Sequence, residues 1–311
     1  MRKIFLLICF CRVWPAQSQN QVVFRGIILD ETIGTATLSQ PLGLDIDPDG
    51  NLYIADTGRN RIVKCSQRGE LLREAGGFGF DKQQFDRPVD VWAGNGLDVF
   101  VVDYNNQRLE RYDKDLNYIS SYYSDELQDE SLQFGYPAAV GLSANGEVFL
   151  ADHEFNRVLR IDSFGRPKSN FGDFNWGEGR LARPAKILID ANRKIFVSDS
   201  TTDEIVEYDY YGNFLQRFGA GVLRDPSGMA GRRAEGRGQR ANDLLIVADR
   251  GNHRMFFFNN EGEKVFDFGK RGRAPEDFFS PADVATHGTR IFVLDTGNNR
   301  VQVFELQAKK E

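Results

Sequence analysis

One seven-residue stretch is written twice almost unchanged, as Asp56-Thr57-Gly58-Arg59-Asn60-Arg61-Ile62 and as Asp295-Thr296-Gly297-Asn298-Asn299-Arg300-Val301. Between the two copies stand Asp103, Asp152, Asp199 and Asp249, with Arg108, Arg157, Glu204 and Arg254 five places further on. The Asp-to-Asp intervals are 47, 49, 47, 50 and 46 residues. Self-similarity at such a period marks an array of stacked or radial units, each burying its apolar faces against its neighbours.

Each of these Asp residues ends a short β-branched or aromatic run, such as Leu52-Tyr53-Ile54-Ala55, Val99-Phe100-Val101-Val102 or Ile291-Phe292-Val293-Leu294. Runs of that length and composition are strands and are too short for buried helices. Pro41, Pro88, Pro137 and Pro184 lie fifteen residues ahead of their Asp; Pro281 lies fourteen ahead and Pro226 twenty-three. After the proline comes an alternating strand (Leu42, Leu44, Ile46), then a tight turn such as Asp49-Gly50-Asn51 or Asn145-Gly146. Gly and Asn close such hairpins because they accept positive φ. A third strand follows the Asp turn, and a Gly-centred turn (Gly69, Gly165, Gly212, Gly262) leads to a fourth. Four antiparallel strands per unit and six units predict an all-β chain, a six-bladed β-propeller of four-stranded antiparallel blades.

The pattern of Pro-x-Gly-apolar, an aromatic strand ending in Asp, then Asn-Arg-apolar resembles the NHL repeat, and the resemblance spans residues 22 to 307. It implies the propeller fold and leaves function open, since propellers host many activities. The last unit is one strand short. The segment Gln21–Leu29 has strand character and belongs to no complete unit, so it is expected to supply the outer strand of blade six and close the ring, removing an unpaired edge.

The chain opens with Met1-Arg2-Lys3, the apolar stretch Ile4–Cys11 and a small-x-small site at Ala16-Gln17-Ser18. This reads as a secretory signal over residues 1–18, followed by one propeller domain over residues 19–311 that is secreted or periplasmic. A lipoprotein anchor at Cys9 or Cys11 fits less well, because Ile8 and Phe10 are large where that pattern wants a small residue. The apolar stretch is too short to span a bilayer, and no membrane span is expected elsewhere. Cys65 is then the one remaining cysteine, so no intramolecular disulfide is expected. A net charge of −6 argues against a nucleic-acid partner, which calls for a basic face. No cofactor is called for, and the chain is expected to be a monomer.

Repetition separates scaffold from site: what recurs in every unit is structure, and departures need another account. The recurrent Asp residues are therefore expected to cap their own turns, with exposed Asp–Arg pairs adding little. Blade four departs with Asp199, Asp203 and Glu204 around one turn, either a solvated turn that has lost its Arg or an oxygen-rich cation site. The Gly/Arg stretch 231–240 and the acidic stretch 125–130 read as surface loops, one basic and one acidic. The connections into the prolines are rich in aromatic and charged residues, and the residues just before the prolines (Arg87, Tyr136, Arg183, Asp225) should ring the mouth of the axial channel. The candidate contact set is Arg87, Tyr104, Tyr136, Phe155, Trp176 and Arg183: two guanidinium forks for an anionic or carbonyl-bearing ligand and aromatic faces for a sugar or peptide. The expected role is a binding module for a protein, peptide or glycan. The alternative is a metal-dependent lyase or hydrolase, since the repeat type and the exported location also resemble the propeller of peptidyl-hydroxyglycine amidating lyases. Those enzymes hold zinc with histidines, whereas His153, His253 and His287 stand at unrelated offsets from the repeat Asp and do not match that set.

Overall fold

The computed structural model describes residues 21–30, 37–124, 129–232 and 244–307. The signal-like residues 1–18, residues 233–243 of the Gly/Arg region and residues 125–128 of the acidic loop lie outside that set. After β1 (Gln21–Ile28), blade one comprises β2 (Gly43–Ile46), β3 (Leu52–Asp56), β4 (Arg61–Cys65) and β5 (Leu71–Gly76). Blade two comprises β6 (Pro88–Trp92), β7 (Asp98–Asp103), β8 (Arg108–Asp113) and β9 (Tyr118–Tyr123). Blade three is β10 (Pro137–Leu142), β11 (Val148–Asp152), β12 (Arg157–Ile161) and β13 (Pro167–Phe171). Blade four is β14 (Pro184–Ile189), β15 (Ile195–Asp199), β16 (Glu204–Tyr208) and β17 (Phe214–Phe218). Blade five is β18 (Pro226–Arg232), β19 (Leu244–Asp249), β20 (Arg254–Phe258) and β21 (Lys264–Phe268). Blade six takes β22 (Asp283–His287), β23 (Arg290–Asp295) and β24 (Arg300–Gln307) from the end of the chain and β1 from its beginning, in the order β1-β24-β23-β22.

The ring closes as the sequence predicts. β1 runs antiparallel to β24 with Val22 opposite Leu306 and Phe24 opposite Phe304, whose rings meet edge to face at 5.6 Å. The core lies between consecutive blades, each seam filled by the facing side chains of two sheets. Ile54 and Val63 of blade one meet Phe292 and Val301 of blade six, while Tyr53 and Ile62 on the other face meet Val101 and Tyr112 of blade two. Cys65 is fully buried in the first of these seams, and burial pushes its thiol up to about 12, so it behaves as a small apolar core residue.

The six Asp residues correct one expectation. They are fully buried, not the exposed halves of surface pairs. Each accepts the backbone N–H two residues before its own blade's proline: Ser39 to Asp56 at 2.6 Å, Asp86 to Asp103 at 2.9 Å, Gly135 to Asp152 at 3.2 Å, Ala182 to Asp199 at 2.5 Å, Arg224 to Asp249 at 2.7 Å and Phe279 to Asp295 at 2.7 Å. The carboxylate thus ties the connection entering a blade to the turn leaving its second strand. The Arg five residues on completes the tie in blades one, two, three and six. Arg108 donates to Asp103 at 2.9 Å and to the carbonyls of Phe80, Asp81 and Gln84, and Arg300 does the same for Asp295 and the carbonyls of Arg273, Ala274 and Asp277.

Blade four, which lacks that Arg, restores it from the next strand. In blade one Arg61 pairs with Glu74 at 2.7 Å; in blade four the same two places hold Glu204 and Arg217, paired at 2.6 Å with the charges exchanged. Arg217 then donates to the carbonyls of Glu178 and Arg180, holding the connection as the missing Arg would. Asp199 is taken up by the amides of Ala182, Arg183, Thr201 and Thr202, and Asp203 accepts the amide of Asp225 at 2.7 Å. The three carboxylates of this turn are thereby committed to protein partners, and among the described residues no group of three His, Cys, Asp or Glu side chains converges as a metal site.

Candidate functional site

The prolines set the axial channel, because each stands at the first residue of an inner strand (blades two to five) or two residues ahead of it (blades one and six) and so fixes which residues face the axis. Three tiers follow from counting along these strands. The mouth carries the residues before the prolines (Gln40, Arg87, Tyr136, Arg183, Asp225, Ser280) and those after the Asp residues (Thr57, Tyr104, His153, Ser200, Arg250, Thr296). The neck carries the residues after the prolines: Leu42, Val89, Ala138, Ala185, Ser227 and Ala282. The floor carries the next residue of each strand: Gly43, Asp90, Ala139, Lys186, Gly228 and Asp283. A cavity of about 300 Å³ occupies the funnel, lined by all six neck residues, by Arg87, Tyr104, His153, Arg183, Ser200, Asp225 and Arg250 at the mouth and by Asp90, Lys186 and Asp283 at the floor.

The floor alternates small and charged residues around the ring. Lys186 of blade four donates to Asp90 of blade two at 2.6 Å and to Asp283 of blade six at 2.7 Å. The small residues of blades one, three and five make room for this crossing. A Cβ on Gly43 would lie 2.7 Å from the Asp90 Cα, and one on Gly228 2.3 Å from the Asp283 Cα. Each carboxylate also holds the inner strand of the following blade, Asp90 accepting from the Val140 amide at 2.9 Å and Asp283 from the Leu44 amide at 2.8 Å. Burial raises the Asp283 carboxyl, against the pull of Lys186, and the two aspartates keep Lys186 an ammonium ion despite its own burial.

At the mouth, the residue after the Asp bonds the next blade's proline carbonyl in blades one, three and six. Thr57 does so with Pro88 at 2.6 Å and Thr296 with Pro41 at 2.7 Å. His153 performs the same task with Nε2, donating to the Pro184 carbonyl at 2.9 Å, which leaves Nδ1 to accept from the Tyr104 hydroxyl at 3.5 Å. Burial, then Arg183 and Arg87 nearby, hold His153 down at about 4, so it is neutral at physiological pH. The Arg87 guanidinium lies over the Tyr104 ring at 5.0 Å. Arg87 itself has φ +66°, and its amide is capped by the Asn60 side chain at 2.8 Å, a constraint that fixes where it points. Arg250 is paired with Asp225 at 3.7 Å. Among the described residues, neither the Arg87 nor the Arg183 guanidinium has a hydrogen-bond or ion-pair partner.

Of the six sequence-predicted contact residues, Arg87, Tyr104 and Arg183 line the funnel. Tyr136 and Phe155 line a second cavity of about 560 Å³ on the rim between blades two and three, together with Asn105, Asn106, Gln107, Tyr123 and Glu154. The two cavities meet at Tyr104 and Tyr136, whose rings lie 5.2 Å apart. Trp176 does not join them. The indole is half-buried against blade four and its N–H donates to the Gly212 carbonyl at 2.8 Å. Sequence reasoning missed Asp90, Lys186 and Asp283. The signal was present, since a charged residue replaces the Gly of Pro-x-Gly in every second unit.

The histidines lie apart and are engaged separately. His253 Nδ1 accepts the Ser280 amide at 2.9 Å, and His287, at the end of β22, contacts the Pro48 carbonyl and Gln67 in the hairpins of the opposite face. With His153 on Pro184, these rings do not form the convergent set that zinc requires.

Comparison with known proteins agrees with this architecture. The NHL repeat model matches residues 38–65, and a model described as a 6-bladed beta-propeller matches residues 238–310. A probable peptidyl-alpha-hydroxyglycine alpha-amidating lyase of Caenorhabditis elegans is 26% identical over 170 residues, 47% of this chain and 49% of that protein, so the chain spans about half the length of that relative. Among solved structures, an auxiliary nutrient binding protein from Bacteroides ovatus is 14% identical with a TM-score of 0.69, covering 93% of this chain and 78% of the other. Its counterpart from Bacteroides thetaiotaomicron is 12% identical with a TM-score of 0.67, covering 93% and 77%. The virginiamycin B lyase of Staphylococcus aureus is 14% identical with a TM-score of 0.59, covering 94% and 89%. At these identities the likeness to solved structures is one of fold.

Proposed function

For this NHL-repeat propeller we propose a binding role: an exported protein, its residues 1–18 a removed signal, that takes a peptide or glycan across blades two to four, from the rim cavity over the Tyr104–Tyr136 pair into the funnel. The observation that carries this reading is the convergence of departures from the repeat. Where blades six and one place Gln40, Thr57, Ser280 and Thr296, blades two to four place Arg87, Tyr104, Tyr136, His153 and Arg183, and these share one continuous concave surface. Aromatic faces beside unpaired guanidinium forks suit an amphipathic ligand, and the paired cavities are of ligand size. The fold neighbours that bind nutrients support a binding role in general.

Capture on immobilised peptide and glycan libraries tests it. Wild-type protein should retain a defined subset, and an Arg183→Ala, Tyr136→Ala double variant should lose that subset while keeping its melting temperature. Retention unchanged in the double variant would place the binding face elsewhere. N-terminal sequencing of exported protein should begin at Gln19.

The second reading, a metal-dependent lyase or hydrolase, is favoured by the sequence likeness to the nematode enzyme. The histidine arrangement does not supply its metal site, so no step through a metal is derived. One zinc per chain on elemental analysis, lost together with a lyase activity on chelation, would establish it over the binding reading.

A further inference from the structure

We propose that the funnel is a carboxylate site: a monoanionic head group seats between Arg87 and Arg183 and reaches down to the ammonium of Lys186. The inference rests on the funnel being where the ligand binds, and it names the chemistry the funnel selects.

Three observations carry it. First, the funnel is locally positive in an acidic protein of net charge −6: Arg87, Arg183, Arg250 and Lys186 face Asp90, Asp225 and Asp283. Asp225 is engaged by Arg250, and Asp90 and Asp283 share Lys186, so with the Arg87 and Arg183 guanidinium groups the balance of the funnel is one positive charge. A concave, protein-walled site focuses such a field on an entering anion. Second, an ammonium has three donors. Asp90 and Asp283 take two of them, and among the described residues no acceptor takes the third, although Lys186 lines the funnel. Third, the neck between the mouth arginines and Lys186 is Leu42, Val89, Ala138, Ala185, Ser227 and Ala282, a low-polarity collar that removes water from whatever passes it. Desolvation there strengthens a charge-assisted hydrogen bond at the floor.

The charge of the site also chooses among anions. Where Asp90, Asp225 and Asp283 are all ionised, above about pH 7 for the burial-raised Asp283, four cations face three carboxylates, and a single negative charge brings the site to neutrality. A dianionic phosphate would leave an excess negative charge beside the buried Asp90 and Asp283, which a low-dielectric interior penalises. The 300 Å³ volume holds a head about as large as one amino-acid residue or one hexose, at the lower end of small-ligand cavities. A free carboxylate on either a peptide end or an acidic sugar meets these limits, and the experiment separates the two.

Isothermal titration is run at about 50 mM salt, where exposed charges are least screened. The probes are acetyl-alanyl-tyrosine against its amide, and glucuronate against its methyl ester. One acid should bind about tenfold or more tighter than its own neutral analogue, and which acid does so names the source. Arg87→Gln and Arg183→Gln, both at exposed positions that leave the buried lock intact, should each erase most of that preference. Phe155→Ala, on the rim, should leave the ratio of acid to neutral form unchanged. Equal affinity for acid and neutral forms, or no saturable binding of either acid up to about 10 mM, overturns the proposal. Those results together with a library ligand lost on Phe155→Ala would leave rim binding standing without the carboxylate site. A library ligand untouched by all three variants would instead remove the reading of the funnel as a binding site.

Discussion

The mouth of the channel is built from one backbone pattern, yet its two halves differ. Over blades six and one the residues after the Asp turns are Thr57 and Thr296, each spending its hydroxyl on the next proline carbonyl, and Gln40 and Ser280 before the prolines have amides capped by Asn299 and His253. Over blades two to four the same places hold Tyr104 and His153, Arg87, Tyr136 and Arg183. His153 still serves the repeat through Nε2, which shows that the larger side chain was accommodated without giving up the blade-to-blade tie. Side chains that exceed what the scaffold needs therefore follow one arc of the ring, blades two to five, in which Asp225 and Arg250 of blade five pair with each other and those of blades two to four line the two cavities.

The comparison is sharpest when the shared scaffold is broken first. Removing residues 19–30 strips β1 from β24 and should lower the melting temperature by roughly 10 °C or more, whereas removing residues 307–311 should change it by about 2 °C or less. Calorimetry of the two truncations checks this; equal melting temperatures would refute closure by β1. Next in size is the loss of a buried tie. Asp295→Ala leaves Arg300, 6% exposed, without its carboxylate and should cost about 3–5 kcal/mol in denaturant unfolding.

The floor lock gives an effect that depends on pH. Lys186→Met leaves two buried carboxylates facing each other, and about 3 kcal/mol should be lost at pH 7. Asp283 is already raised by burial and rises further without the ammonium, so the folded variant binds protons the unfolded chain does not. Its stability therefore increases as pH falls from 7 toward 4, and the gap to wild type narrows. A gap constant over that range would show that the two carboxylates do not share the lysine.

Much of this was legible from the chain itself, and the rest was hidden for identifiable reasons. Period, strand runs and turn residues set the blades, because each blade is local in sequence. The surplus strand at Gln21–Ile28 and the missing one after Gln307 implied the closure. Burial of the Asp residues was not legible, since the Asp-to-Arg spacing reports a pair without the amide that sits beneath it. The exchange of Glu204 and Arg217 looked like a lost Arg because its compensation lies 13 residues later, on a different strand. The floor lock joins residues 96 and 97 apart across the axis, a contact no local pattern reports, although the replaced Gly of Pro-x-Gly marked its members. The packing of Trp176 was not legible because the path of a connection depends on the blade it leans against, here through the Gly212 carbonyl.

Two smaller effects refine the contrast. Trp176→Phe should cost about 1 kcal/mol through the lost indole hydrogen bond and leave ligand affinity unchanged, as befits a perimeter residue. His153→Thr converts blade three to the blade-one arrangement. Because His153 sits at about 4 in the folded protein, below its ordinary 6.5, wild type should lose stability as pH falls from 6.5 toward 4, while the variant's acid limb should flatten over that window. Thermal melts across pH check the sign.

The most direct test returns the distinctive arc to the plain one. A variant carrying Arg87→Gln, Tyr104→Thr, Tyr136→Gln, His153→Thr and Arg183→Ser gives blades two to four the mouth of blades six and one. It should fold and melt within about 4 °C of wild type, and bind no ligand that wild type retains. Undiminished binding by this variant, or its failure to fold, would contradict the division of the ring into a repeated scaffold and one functional arc.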